Sequence, residues 1–330
     1  MSLQAVAEPS AAETLRVHAD HPSAFLALNA RTRHFHGVRA PGLIAYTTRG
    51  RHVVQFGGPF APVQSRAQLL TEFRSALDAR LTVAQLRAAD IPLYAERGFA
   101  INQMGTSYSI DLTQFTTRGK ALAKARQNTS RARRDGVTVV EVDERNPSPR
   151  NAELAAIDEA WLRDKGRHVK KLDFLVGERG GPGAPLRRTF VARLRGQTIG
   201  YITYSPAYGA RPGWLYDLTR RLPGSPVGTV ELINLTALQR FRSEGAAWLH
   251  LGLTPFAGLA PEHSPPCASR LLDRAVTLLA ERGKAVYPAR SQEAFKLKWA
   301  PHVIEPEYAA FEGGATPGAV WNLLRVVRAL

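Results

Sequence analysis

The 330-residue sequence contains very little cysteine, since Cys267 is the only one. One thiol excludes an intrachain disulfide framework, a zinc site built on several cysteines and an iron–sulfur cluster. The sequence also lacks any apolar run of the roughly 18 residues that a membrane-spanning helix needs. No secretory signal peptide is recognisable, so we expect a cytoplasmic protein.

Acidic residues are scarce relative to basic ones. The 28 Asp and Glu stand against 44 Lys and Arg, which gives a formal net charge of +16. This surplus indicates an anionic partner, either nucleic acid or an acidic membrane surface, although an Arg-rich base composition of the genome is an alternative cause. A composition of 44% hydrophobic and 22% charged residues is that of a globular protein. At about 150 residues per domain, the length predicts two domains.

Several motifs of known chemistry are missing. The sequence has no P-loop, no HExxH, no EF-hand loop and no GxSxG nucleophile elbow. Cys267 lies beside two prolines in a predicted loop, which is a poor setting for a nucleophile. We therefore expect neither a metal nor an organic cofactor.

Apolar periodicity and turn signals predict a mixed α/β fold in which one unit occurs twice. The second half has the order helix, hairpin, strand, helix, strand, helix, over residues 152–164, 190–204, 214–218, 228–244, 248–251 and 269–282. The first half shows a weaker version of this order, with helices at 11–18 and 65–80, a hairpin at 43–56 and a strand at 105–112. Two prolines within residues 146–150 predict a linker, and hence domains at 1–145 and 146–330.

Two basic segments are candidate phosphate-binding surfaces. Residues 117–136 hold seven Lys and Arg before the first acid, and Lys120, Lys124, Arg131 and Arg134 share one stripe at helical spacing. Near the C-terminus, Lys296 and Lys298 alternate with apolar residues, which predicts a strand with both lysines on one face. For each segment, a solvated surface without a ligand is the alternative.

Three motifs in the second half carry a resemblance to a known family. WLYDLTRRLPGSPVGTVELI at 214–233 resembles the D-L-x-R-R…G-[TS]-x-[DE] signature of the catalytic domain of lysylphosphatidylglycerol synthases, the multiple peptide resistance factors. HLGLTPFAGL at 250–259 and AFKLKWAPHVIEPEY at 294–308 are similar to the family's next two motifs, and residues 95–136 to its upstream region. The resemblance implies tandem GNAT-like (N-acetyltransferase-like) domains that transfer an amino acid from aminoacyl-tRNA.

The resemblance also implies site residues. Asp217, Arg220 and Glu231 would be catalytic, with the two carboxylates holding an ammonium group of the amino acid. Arg220 or Arg221 would stabilise the oxyanion or contact a tRNA phosphate. The remaining substrate-binding candidates are Arg221, Lys296, Lys298, Arg126, Arg131 and Tyr287. An exposed ion pair is the alternative explanation for Asp217 and Glu231.

The acceptor stays open at this point. A phosphatidylglycerol headgroup and a small amine or hydroxylamine, as used by free-standing relatives in antibiotic biosynthesis, fit the sequence equally well. An acetyl-coenzyme A-dependent acetyltransferase and a non-enzymatic nucleic-acid-binding protein are the rival functions. Against the former, Pro226 stands where a coenzyme A-binding turn needs a free amide. The amphipathic stretch 317–330 predicts either a peripheral membrane contact or a docked helix.

Overall fold

The fold is described by a computed structural model over residues 9–50, 52–143, 149–165, 174–282 and 289–326. Within these residues, eleven strands form one mixed sheet with helices on both faces. This confirms the predicted mixed α/β class. The candidate Tyr287 and most of the predicted 146–150 linker lie outside the described residues.

The N-terminal part begins with a capped helix and a short 3-10 turn. Ser10 caps the first helix by accepting a hydrogen bond from the amide of Glu13, whose carboxylate accepts in return from Ser10. The elements are α1 (Ala11–His18), a 3-10 turn (Ala24–Leu28), β1 (Arg33–His36), β2 (Leu43–Arg49), β3 (His52–Phe60), α2 (Val63–Ser75), β4 (Arg80–Arg87), α3 (Ile91–Ala95), β5 (Ala100–Asp111), α4 (Ala123–Arg134) and β6 (Thr138–Val142).

The C-terminal part has the predicted element order. Its elements are α5 (Pro149–Lys165), β7 (Arg188–Leu194), β8 (Gln197–Ala207), β9 (Gly213–Arg221), α6 (Thr229–Ser243), β10 (Trp248–Pro255), α7 (Arg270–Arg282), α8 (Ala289–Leu297), β11 (Val303–Phe311) and α9 (Pro317–Val326). Helix, hairpin, strand, helix, strand and helix therefore follow one another from α5 to α7, as the sequence predicts.

The strand order is β1-β2-β3-β4-β11-β5-β10-β9-β8-β7-β6. The late strand β11 lies between β4 and β5 and pairs antiparallel with both. At the far edge, β6 pairs with β7 across the predicted linker. The sheet is thus continuous over the boundary predicted at residues 145 and 146, and that boundary stays a prediction.

Hydrophobic clusters cover both faces of the sheet. In the C-terminal part, α4 and α6 cover one face and α5 covers the other. In the N-terminal part, α2 and α3 cover one face, while α1, the 3-10 turn, α7 and α9 cover the other. The polar groups that could act chemically lie where these two parts meet, at strands β5, β10 and β9.

The strand predicted around Lys296 and Lys298 is wrong, because these residues belong to the end of helix α8 and the turn after it. Phe295 and Trp299 are four residues apart and both pack into the core, whereas Leu297 is exposed. Lys296 is only 6% exposed and Lys298 is half-buried, so they do not form a common solvent-facing surface. A spacing of four, characteristic of a helix, outweighs the local alternation.

Candidate functional site

The two neighbouring parallel strands β9 and β10 separate soon after they meet. Their pairing covers three residues of each strand and ends at Leu215 and His250. Beyond that pair, β9 continues to Arg221 and β10 to Pro255 without pairing to each other. We call the space between these unpaired segments the strand gap. Such a separation leaves main-chain groups of the two strands without each other as pairing partners in the middle of the sheet.

A β-bulge places Asp217 on the β9 side of the strand gap. Tyr216 is opposite Tyr204 and Leu218 is opposite Thr203, so Asp217 has no partner residue on β8. A bulge redirects side chains and often lies next to a functional site. A second irregularity occurs in β10 between His250 and Gly252, at the same level of the sheet.

The side chain of Asp217 is only 1% exposed and faces a buried arginine. Its Oδ2 lies 3.4 Å from Nε of Arg187, yet neither atom completes a hydrogen bond. Burial raises the pKa of Asp217 to about 6, although Arg187 opposes this rise. Oδ2 of Asp217 therefore retains the capacity to accept a hydrogen bond from a ligand.

Gly177 and Asn29 complete the surroundings of this carboxylate. A Cβ at position 177 would lie 1.9 Å from Oδ1 of Asp217, so only glycine fits there. Arg187 is held in turn, because it donates to the carbonyl of Gly180 and to Oδ1 of Asn29. The arrangement fixes the position of the Asp217 carboxylate.

Arg220 lies on the same strand, against α5. Its guanidinium is 4.0 Å from the ring centroid of Trp161, and its Nε is 3.9 Å from Oδ1 of Asp158. Asp158 also accepts hydrogen bonds from Tyr201 and Arg179. Burial lowers the pKa of Arg220, but a guanidinium stays charged at neutral pH. Aromatic stacking and the nearby carboxylate thus orient this cation.

Glu231 lies in the first turn of α6, where the helix dipole favours an anion. Its Oε1 accepts from Nζ of Lys298 at 2.6 Å and from Nδ2 of Asn128 at 2.7 Å. Burial alone would raise the pKa of Glu231, but these two hydrogen bonds lower it below its usual value. Glu231 is therefore ionised at neutral pH, and α4, α6 and the end of α8 meet at its carboxylate.

Lys296 is buried on the β10 side of the strand gap. Its Nζ donates to the carbonyl oxygen of Gly252 at 2.8 Å and lies 5.5 Å from the ring centroid of Tyr108. Burial lowers the pKa of Lys296 to about 7, although Glu307 opposes this shift. Lys296 is thus buried rather than solvent-facing, and its contact with tRNA phosphates or with the acceptor end stays a prediction.

A basic groove of about 400 Å³ runs along α4 next to the loop that precedes α6. Lys124, Arg131 and Arg134 line it, together with Asn128 and Val227. Asn128 also donates to Glu231, so this one side chain links the groove to the Glu231–Lys298 ion pair. Three of the four residues of the predicted basic stripe therefore face one groove.

The other predicted residues lie apart from this arrangement. Arg126 does not line the groove, and it donates to the carbonyls of Thr117 and Gly119. It holds the loop before α4 in this way, and its predicted place in a phosphate track stays a prediction. Arg221 is exposed at the end of β9.

Several residues of the site were missed by the sequence-based predictions. Arg187, Asp158 and Trp161 surround Asp217 and Arg220, yet they come from segments that carry no recognisable motif. Asn128 could have been found, because it lies four residues after Lys124 and three before Arg131 on the predicted basic helix.

Comparison with known proteins gives the family. Residues 12–311 match the family described as phosphatidylglycerol lysyltransferase, C-terminal. The chain belongs to this family. It is therefore a member of a transferase family, as the motifs around Asp217 and Glu231 predict.

A curated relative, the phosphatidylglycerol lysyltransferase of Bacillus subtilis (strain 168), is 23% identical over 270 residues. The match covers 78% of this chain but only 30% of the relative's length. Every helix in the part of the chain that the structure describes is too short or too polar to cross a membrane.

Two solved structures share the fold over nearly the whole chain. The C-terminal domain of a putative lysylphosphatidylglycerol synthetase from Agrobacterium fabrum has a TM-score of 0.75 at 23% identity, covering 96% of both chains. L-PGS from Bacillus licheniformis has a TM-score of 0.78 at 21% identity, covering 97% of this chain and 98% of its own. The fold that the resemblance implies is thereby confirmed.

Proposed function

We propose that the protein transfers an amino acid from aminoacyl-tRNA to an acceptor that enters the strand gap. The observation that carries this proposal is the hydrogen bond by which Asn128, a lining residue of the basic groove, contacts the Glu231–Lys298 pair. A tRNA brings phosphates, which suit a groove lined by Lys124, Arg131 and Arg134. It also brings an activated ester, so the protein needs mainly to position the reactants.

The reaction is an acyl transfer. A hydroxyl or amine of the acceptor attacks the ester carbonyl carbon, the new bond to the amino acid forms, and the bond to the ribose oxygen breaks. The proton that the acceptor loses is taken up by the departing ribose oxygen. Hydrogen-bond donors that face the developing oxyanion lower the barrier of such a step.

The residues of the site divide these tasks in the proposal. Oδ2 of Asp217 is buried beside Arg187 without completing a hydrogen bond, which suits an ammonium group of the amino acid. Arg220 is oriented by Trp161 and Asp158 and supplies a fixed cation for the oxyanion or a phosphate. Glu231 is ionised and already paired with Lys298, so it acts by orienting the Lys298 ammonium and the side chain of Asn128, which lines the groove.

Phosphatidylglycerol is the acceptor that the relatives support, because the family and the Bacillus subtilis protein are both described as phosphatidylglycerol lysyltransferases. A small amine or hydroxylamine remains the alternative acceptor. A peripheral contact with the membrane, through the C-terminal helix, belongs to the lipid version of the proposal.

The test is a transfer assay with a panel of labelled aminoacyl-tRNAs. Each is incubated with the protein and with either phosphatidylglycerol vesicles or a set of small amines, and lipid and aqueous products are separated. We expect label from one aminoacyl-tRNA in the lipid product. Label in a small amine alone would select the other acceptor, and no transfer from any aminoacyl-tRNA would overturn the proposal.

A further inference from the structure

Helices α7 and α9 expose large apolar side chains to solvent on one face of the molecule. Leu271 and Leu278 of α7 are 78% and 47% exposed, and Trp321 of α9 is 53% exposed. Both helices pack on the same hydrophobic cluster through their opposite sides, with Leu272, Val276 and Leu323 buried. Leu271, Leu278 and Trp321 therefore do not contribute to the hydrophobic core.

Arginines accompany these apolar residues. Arg270 and Arg274 are exposed on α7, and Arg325 is exposed on α9. The carboxylate of Asp273, between the two α7 arginines, is turned to the protein and accepts from Asn102 and Ser264. An exposed Trp and Leu next to arginines is the composition of helices that lie in the interface of an anionic bilayer.

The position of this surface is relevant to the site. α9 packs on β2 and β3, and α7 packs on β5, so both lie over the same sheet face, with β4 and β11 between these strands. Strand β5 lies between β11 and β10 in the sheet, and β10 borders the strand gap. A molecule held by α7 would thus lie one strand away from the gap.

We infer that the exposed face of α7 and α9 is a docking surface for a bilayer that contains anionic phospholipid. The Leu and Trp side chains insert among the acyl chains near the headgroups, and the arginines contact lipid phosphates. This inference deepens the proposed function, on which its biological meaning rests, because it names the surface from which a lipid acceptor reaches the strand gap.

The test is sedimentation with vesicles, in the absence of tRNA, so that binding is measured independently of transfer. Vesicles of phosphatidylcholine alone are compared with vesicles that also contain phosphatidylglycerol. We expect binding to the anionic vesicles, and a loss of at least about tenfold in the double variant Leu271→Glu/Trp321→Glu. The variant Arg270→Glu/Arg274→Glu should also bind more weakly, since each basic side chain near an anionic surface contributes roughly fivefold.

Val63→Glu is the matched control, because Val63 is 76% exposed on α2, which covers the opposite face of the sheet. It should bind vesicles like the wild type. Thermal unfolding of each variant shows whether the fold is kept. The Leu271→Glu/Trp321→Glu variant should still transfer to a water-soluble acceptor, which distinguishes a failure of docking from a failure of the proposed function.

Three results would overturn the inference. One is wild-type binding that is equal for both kinds of vesicle or absent. Another is a loss of binding in an α4 variant such as Arg133→Glu while the α7 and α9 variants bind normally. The third is a wild-type dimer in light scattering that Trp321→Glu converts to a monomer without any change in vesicle binding, which would assign the face to a second copy of the chain.

Discussion

Asp217 is a buried carboxylate whose charge depends on pH in the physiological range. With a pKa of about 6, it is ionised at pH 7 and protonated below pH 6. A protonated Asp217 cannot form a charged hydrogen bond with an ammonium group. We therefore expect transfer to decline on the acid side with a midpoint near this pKa.

The Asp217→Asn variant tests this role. It should keep the fold and tRNA binding, while transfer falls about 10- to 100-fold, because a hydrogen bond to a charged group contributes roughly 1.5–3 kcal/mol. Its acid limb in the pH–rate profile should also disappear. Asp78→Asn, at an exposed position before β4, is the control. Full activity in Asp217→Asn would exclude contact of this residue with the substrate.

Lys296 is a buried lysine whose lowered pKa makes the free energy of unfolding depend on pH. Its pKa is about 7 in the folded protein against an ordinary value of 10.5, so the unfolded chain binds the proton more tightly. Between these two pH values the unfolded state holds more protons, and the free energy of unfolding rises with pH. Below pH 7 both states are protonated, and the cost of burying the charge is constant.

In the Lys296→Met variant, the rise of the free energy of unfolding above pH 7 should be lost. At neutral pH the variant should be more stable, on the order of 1 kcal/mol, because a buried charge is replaced by an apolar side chain of similar length. Transfer should decrease at the same time. Urea unfolding at neutral and alkaline pH measures the stability and its pH dependence, with the exposed Lys124→Met as the control for unfolding only. An unchanged pH slope would show that Lys296 is solvated.

At the level of helices and strands, the basic face of α4 can be tested through salt dependence. Arg131 and Arg134 line the groove, whereas the exposed Arg133 of the same helix does not. If the groove binds tRNA, the double variant Arg131→Gln/Arg134→Gln should reduce the slope of log affinity against log salt by about 0.7 to 0.9 per lost phosphate contact. Arg133→Gln should leave the slope unchanged, and equal effects of both variants would contradict a localised groove.

Most elements could be predicted from the sequence because their apolar spacing and turn residues agree with their environment. The hairpin of β7 and β8 and the helix α6 are examples. The segment around Lys296 could not, since its alternation of Lys with apolar residues imitates a strand while the Phe295–Trp299 spacing is that of a helix. Local pattern alone does not say which of these two packing modes buries more surface.

The candidate site was predictable only in part. Asp217 and Glu231 were predicted from a family motif, and the basic face of α4 was predicted from the helical spacing of its Lys and Arg residues. The partners of Asp217 and Arg220 come from distant segments, as Arg187 and Asp158 do. Contacts of this kind depend on how the sheet brings segments together, which periodicity does not reveal.

At the scale of the whole molecule, the identity of the acyl donor, acetyl-coenzyme A or aminoacyl-tRNA, distinguishes the two candidate enzyme activities. Pro226 has no backbone N–H to donate. The N–H groups of Ser225 and Thr229 donate to the carbonyls of Leu222 and Pro226 within the same turn. The turn before α6 is therefore poor at holding a pyrophosphate.

We accordingly expect that coenzyme A and acetyl-coenzyme A do not bind measurably in calorimetric titration. Deacylated tRNA should compete with aminoacyl-tRNA, because most of the contact energy lies in the phosphate backbone. Micromolar binding of acetyl-coenzyme A, without transfer from any aminoacyl-tRNA, would instead favour an acetyltransferase.

The position of β11 affects how the chain assembles during translation. β4 and β5 leave the ribosome long before residues 303–311, yet β11 fills the place between them. Until it arrives, both strands present unsatisfied edges to other nascent chains, a situation that favours aggregation and the recruitment of chaperones. Completion of the sheet therefore waits until residues 303–311 have been synthesised, and the middle of the sheet, rather than its edges, is the last part to close.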